Sequence, residues 1–379
     1  MRLALLTYRF PWPVHTGDRV RAVRWLDAML PLGEVTLIAP DGALPDAYRA
    51  VRHLPLRRSA GALLTGLARV AANRLPLHVL TAGAYDWRTA IRRGESEGRF
   101  DAAVVLLSRC DPWTGELRSG RRVMDAIDAS SLSIAMRSRS ANGSAASRFW
   151  RRESKRSAIL EASFSSKYDC VMVVNDRERQ LFGERAIAVG SGVRLQPVTR
   201  EERDFDFGFW GRLEYFVNSD AVRELLDVIW PSIRCELPEA RLLIAGADVP
   251  PFIRAWDGRS GITVMSPFDD RAALLRRVKV AIFPLRNGTG VSNKILEAGE
   301  ASCAIVATPE ALSGLDDLRP AVVLAQSDAE LAASATSLAR DPQRARRLGE
   351  ELRHLVERQH DASSSEERLR AVLTTRSCA

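Results

Sequence analysis

Lys294 and Glu297 stand three residues apart, just after a stretch that carries two glycines, Gly288 and Gly290. Before them, Ala281-Ile282-Phe283-Pro284 reads as the end of a buried strand; after them, Ile295, Leu296 and Ala298 read as a helix that Ser292 can cap. A strand, a Gly-rich turn (Gly288-Thr289-Gly290-Val291) and a helix start together make an anion site, because backbone N–H groups and the positive end of the helix dipole face the turn. At a spacing of three, Lys294 and Glu297 share one helical face. A cation beside phosphates and a carboxylate one turn deeper suit a nucleoside diphosphate, the carboxylate accepting from ribose hydroxyls. The simpler alternative is a helix start with a local Lys–Glu pair. The stretch is neither a Walker loop nor the Gly-x-Gly-x-x-Gly dinucleotide fingerprint.

Three further groups carry polar chemistry at predicted strand ends. Phe207-Gly208-Phe209-Trp210-Gly211-Arg212 is a strand entering a Gly turn, which puts Arg212 on a carboxyl-end loop. Asp125 and Asp128 close the run Arg122–Ile127 and open onto Ser130 and Ser131, where Asp128 could equally form an Asx turn. Gly17-Asp18-Arg19 precedes an amphipathic helix; Gly17 can let backbone approach a ligand, and Asp18 can cap the helix.

The elements that must position these residues fall into two series of short apolar runs. The first includes 2–7, 34–39, 102–107, 122–127, 170–174 and 186–189; the second includes 206–210, 241–246, 261–265, 278–284, 303–307 and 321–325. Amphipathic helical stretches alternate with them, as at 219–230, so each series predicts a parallel sheet with helices on both faces. The expected class is α/β, with two doubly wound domains and ligand in the crevice between strand ends. A length of 379 residues accommodates both. The expected boundaries are 1–195 and 196–362, followed by a helical tail within 363–379.

Composition is that of a soluble globular protein, with 46% hydrophobic and 27% charged residues. Five scattered cysteines and five scattered histidines indicate neither a disulfide framework nor a metal cluster. The start lacks the apolar run of a signal peptide, and no segment is long enough to span a bilayer. The expected compartment is the cytoplasm. Residues 1–190 hold 30 Lys and Arg against 19 Asp and Glu, whereas the rest is net acidic. Residues 137–156 carry seven basic residues and one acid around Phe149-Trp150. That field favours an anionic partner such as a phosphate-bearing acceptor or the inner face of a membrane, or is simply a solvated Arg-rich surface. No nucleic-acid motif accompanies it.

Gly288-Thr289-Gly290, Asn293-Lys294, Leu296-Glu297-Ala298 and Ile305-Val306-Ala307-Thr308 resemble the C-terminal signature of retaining GT-B glycosyltransferases, the glycogen-synthase-like group. The likeness is greatest to sugar transferases of exopolysaccharide-type gene clusters. Shorter likenesses lie at Arg9-Phe10-Pro11 with Gly17-Asp18-Arg19, at Asp125-x-x-Asp128 with Ser131, and at Gly211 with Tyr215 and Asn218. The resemblance implies the GT-B fold, two Rossmann-like domains with a deep cleft between them, the first binding acceptor and the second nucleotide sugar. It implies that Arg212 and Lys294 grip the donor diphosphate, that Gly211, Ser266, the 288–291 turn and Glu297 complete the donor site, and that the tail packs back on the first domain. It sets Asp128 where a polar residue faces the reacting sugar, with Gly17, Asp18, Arg19 and Asp125 on the acceptor side. Two cations beside the phosphates can stabilise a leaving diphosphate without a divalent metal or any other cofactor. The sequence departs from the family pattern at Thr289, where a first Glu is usual, and at Ser302 and Ala304, where Gly and Pro are common.

The expected activity is therefore transfer of a hexosyl-type sugar from a UDP-, GDP- or TDP-linked donor to a glycan, lipid-linked or small-molecule hydroxyl, with retention. The alternatives are a nucleotide-sugar epimerase of the same fold and a non-catalytic basic binding protein.

Overall fold

A computed structural model describes residues 1–14, 16–72, 74–140, 143–190, 192–195, 203–266, 271–286 and 292–375. The chain divides into two units, Met1–Ser191 with Ser363–Ala379, and Gly192–Ala362.

The first unit is built on β1 (Arg2–Leu6), β2 (Glu34–Pro40), β3 (Arg52–Leu56), β4 (Phe100–Leu106), β5 (Ser119–Ile127), β6 (Cys170–Val173) and β7 (Ala186–Ala188). These form one parallel sheet in the order β3-β2-β1-β4-β5-β6-β7. Alternation decides which face each residue joins: Leu3, Leu5 and Val104 enter one core, and Ala4, Leu6, Ala103 and Val105 the other. Both faces are buried, which is why these strands read as continuous apolar runs. β3 is the strand that the apolar runs do not announce. Arg52-His53-Leu54-Pro55-Leu56 alternates instead of running, and its proline is tolerated because the strand is an edge. The tail helix Ala362–Thr374 contributes Leu369, Val372 and Leu373 to the same core as Leu3, Leu5 and Leu37.

The second unit has six strands: β8 (Phe205–Trp210), β9 (Leu242–Ala245), β10 (Ile262–Met265), β11 (Val278–Phe283), β12 (Ala304–Ala307) and β13 (Val322–Leu324). Their order is β10-β9-β8-β11-β12-β13, again parallel. The helix expected at 219–230 extends from Phe216 to Glu236, with one wider turn at Leu225–Ile229. Pro231 follows that turn and has no N–H to continue the regular ladder.

In each sheet the strand order reverses direction once, between β1 and β4 in the first and between β8 and β11 in the second. Such switch points leave a crevice beyond the carboxyl ends of the strands. Gly17, Asp18 and Arg19 follow β1, and Gly211 and Arg212 follow β8, at these two places.

Candidate functional site

At the switch point of the second sheet, β8 ends in Phe209-Trp210 and turns at Gly211, whose φ is +146°. A β-carbon on Gly211 would stand 2.7 Å from Cε of Lys294 and 3.1 Å from Nδ2 of Asn218. The positive φ favours glycine, and the end of the lysine side chain packs over it. Asn218 is buried and donates to the Arg212 carbonyl at 2.7 Å, fixing the turn from the other side.

Lys294 is the second residue of the helix Asn293–Glu300, which follows β11 across the crevice. Its ammonium lies 5.9 Å from the centre of the Phe209 ring. Burial lowers its pKa to about 8, with Glu297 pulling upward. Glu297, one turn on, accepts from Nε1 of the buried Trp210 at 2.9 Å. The two residues that spacing placed on one helical face therefore each meet an aromatic side chain of β8, Lys294 over the Phe209 ring and Glu297 at the Trp210 N–H. Nothing in the residue order signals that partnership, although Phe209 and Trp210 are legible as strand residues.

Arg212 leaves the same turn but is directed elsewhere. It pairs with Asp248 at 3.1 Å and Glu214 at 3.3 Å, and stays largely exposed. Ser266 follows β10 at the sheet edge, two strands from β8. Gly288, Thr289, Gly290 and Val291 lie outside the described residues. Ser292 occupies the position before the helix, yet its side chain makes no capping hydrogen bond.

In the first unit, Asp128 emerges from an irregular strand end. The pairing of β5 with β6 shifts register between Asp125 and Ile127, Ile127 has φ of +67°, and the Asp128 N–H bonds the Ala126 carbonyl at 2.9 Å. This is a γ-turn centred on a β-branched residue, a strained arrangement of the kind that re-aims a side chain. Burial raises the Asp128 carboxyl to about 6; the Arg109 charge opposes this, and Asp18 and Asp125 add to it.

Asp18 lies in the first turn of the helix Gly17–Met29 and accepts from Arg9 at 3.1 Å. The expected capping role is corrected: Thr16 holds the cap position. Gly17 is the first helical residue, and Arg19 is tied to the Pro13 carbonyl at 2.8 Å. Arg109, in the short helical segment Ser108–Trp113 after β4, donates to the Tyr8 hydroxyl at 3.0 Å, and the guanidinium groups of Arg9 and Arg109 each stand 5.2 Å from the Tyr8 ring. Arg109 passed unnoticed in the sequence. Its one signal there was its place directly after an apolar run.

Asp125 is a second correction. Its carboxylate is fully buried, bonded to Nε of Arg21 and Nε1 of Trp25, both at 2.6 Å, while Arg21 also reaches the Gly190 carbonyl. With no exposed surface, it joins the first helix to the sheet and does not face an acceptor. Two further buried acids brace the segment after Asp128. Glu178 accepts from the Ala129 N–H and from Asn175, and Glu161 from the N–H and hydroxyl of Ser131. Burial raises both carboxyls to about 7.

Two doubly wound parallel sheets, each with polar groups at its switch point, define a GT-B protein. Residues 204–341, within the second unit, match the family model for Glycosyl transferases group 1. None of the curated proteins matches the sequence. Among solved structures, the chain is similar to WaaG, a glycosyltransferase involved in lipopolysaccharide biosynthesis (TM-score 0.71, 16% identity, covering 98% of this chain and 99% of that one). It is also similar to the sucrose-phosphate synthase of Thermosynechococcus elongatus (0.70, 13%, 97% of each). A third likeness is to HepE of Anabaena in complex with UDP and glucose (0.66, 14%, 99% and 100%).

Proposed function

We propose that this chain transfers a sugar from a nucleoside-diphosphate donor to an acceptor hydroxyl, with retention and without a divalent metal. The observation that carries the reading is the pairing of Lys294 with Gly211 and Phe209, and of Glu297 with Trp210, at the switch point of the second sheet. Lys294 is held on a hydrophobic bed with its ammonium at the helix start, where it suits a diphosphate better than a solvated lysine would. Glu297, oriented by Trp210, is placed to accept from ribose hydroxyls. Arg212 is a second cation for the leaving group and would exchange Asp248 and Glu214 for phosphate oxygens on binding.

In this reading Asp128 acts on the acceptor side, orienting the hydroxyl or taking its proton. A front-face route with an ion-pair-like transition state needs stabilisation of the departing diphosphate more than a protein nucleophile. Gly17, Asp18 and Arg19 lie with Asp128 at the carboxyl ends of the first sheet and belong to the acceptor side. Ser266 and the 288–291 turn complete the donor side in the same reading.

The test is incubation with radiolabelled UDP-, GDP- and TDP-sugars and a set of glycan, lipid-linked and small hydroxyl acceptors, with and without EDTA. The expected result is a labelled product, unchanged by chelator, whose anomeric configuration by NMR equals the donor's. An isomerised donor would establish an epimerase instead. No binding of any of the three nucleoside diphosphates by calorimetry would overturn the donor site.

A further inference from the structure

The helix Ala60–Ala72 inverts the usual rule for a surface helix. It buries Gly66 and Val70, with Gly66 set against Gly83 and Trp113, and turns its leucines outward. Leu64 is 68% exposed, Leu67 47% and Leu63 42%. With Ala60 and Ala71 they recur at helical spacing, forming an apolar stripe on the outer face. An outward stripe of this kind marks an interaction surface.

The charge around it has one sign. Residues 47–85 contain six arginines and no acid, and Arg57, Arg58 and Arg74, which flank the helix, are exposed. Beyond the helix, Leu77 donates its N–H to Glu153, and His78 contacts Ser157, so the segment abuts the basic helix Ser144–Ala162. That helix turns both its acids, Glu153 and Glu161, into the unit. Its exposed face presents Arg148, Arg152 and Lys155 around Ile159, itself 73% exposed.

We propose that these two helices form a docking face for an anionic lipid bilayer, the leucines entering the headgroup–acyl boundary and the basic residues meeting lipid phosphates. At 13 residues the leucine-bearing helix is about 20 Å long, short of the roughly 30 Å hydrocarbon core, so it lies in the interface plane. The combination favours lipid over the alternatives. A second copy would bring the same positive charge against itself, and a nucleic acid has no use for exposed leucines. This inference does not depend on the sugar-transfer reading.

Co-sedimentation with phosphatidylcholine vesicles, with and without phosphatidylglycerol, tests it. The chain is expected to sediment with the anionic vesicles and to be released as NaCl rises. The double change Leu64→Gln with Leu67→Gln should weaken binding roughly tenfold or more, since each exposed leucine loses its apolar burial. The triple change Arg148→Gln, Arg152→Gln and Lys155→Gln should weaken it by a similar factor and flatten its salt dependence. All five positions are exposed, and circular dichroism checks that the variants fold. Three results would overturn the proposal: no sedimentation with anionic vesicles, full binding by the double leucine variant, or self-association in ultracentrifugation or DNA binding in place of vesicle binding.

Discussion

The two sheets reverse at equivalent places and put opposite chemistry there. In the second unit the switch point holds a lysine lowered to about 8 by burial, beside a glutamate held by an indole. In the first a carboxyl raised to about 6 follows β5, one strand beyond the switch, under the charges of Arg109, Asp18 and Asp125. Desolvation acts in both and penalises the charged form in both. It makes the lysine a weaker base and the aspartate a stronger one, so each group titrates within about two pH units of neutrality. The shared topology supplies a switch point in each unit; the side chains beside it give the two units opposite charge chemistry.

The comparison breaks most sharply at Asp128. If it belongs to the transfer step, Asp128→Asn should lower kcat roughly 10²-fold or more while donor affinity stays near normal. Steady-state kinetics alongside calorimetry separates the two quantities. A folded variant with ordinary turnover would leave Asp128 a turn residue and shift attention to Asp18.

The next effect concerns the other sheet. Lys294→Ala should weaken UDP far more than uridine, and Glu297→Ala should weaken both, each by about 1.5–3 kcal/mol, as for hydrogen bonds to charged groups. Equal and small losses would favour a local helix-start pair. The pH dependence sharpens the same contrast. A diphosphate favours the charged lysine, so affinity should be highest below pH 8, fall above it, and be accompanied by proton uptake near pH 8. Calorimetry in buffers of different ionisation enthalpy measures that uptake.

The smallest effect is on stability. Asp128, Glu161 and Glu178 have folded pKa values near 6, 7 and 7, above those of the unfolded chain. Between the two sets of values the folded unit binds more protons, so the contribution of these groups is full at acid pH and is lost as pH rises through about 6–7. Glu178→Gln keeps an oxygen for the Ala129 N–H and removes the titration. It should flatten the loss of unfolding free energy between pH 5 and 8, by at most about 1.4 kcal/mol per pH unit. An unchanged pH slope in thermal melts would show that Glu178 does not hold its extra proton.

Much of this was legible in the residues. Continuous Val, Ile and Leu runs announced the strands because both faces of each sheet are covered, and the Lys294–Glu297 spacing located one helical face. What stayed hidden was set by distant parts of the chain. Asp125 reads like Asp128 in a strand-end motif, and only Arg21 and Trp25, about a hundred residues earlier, separate the buried ion pair from the strand-end group. Ile127 gives no sign of its positive φ, since nothing in a β-branched residue favours one. Ser302 is the converse case: its φ of +51° is one that glycine adopts without strain, and a serine stands there.

The tail helix makes the first unit discontinuous and the second an insertion within it. Domains generally fold as they leave the ribosome, earliest first. Here that order is reversed at one face of the sheet. Leu369, Val372 and Leu373 complete the core formed by Leu3, Leu5 and Leu37 only after the whole of Gly192–Ala362 has been made. A growing chain therefore carries an unfinished apolar face through nearly half its synthesis. Removing a dozen residues at its far end would damage the region that began it.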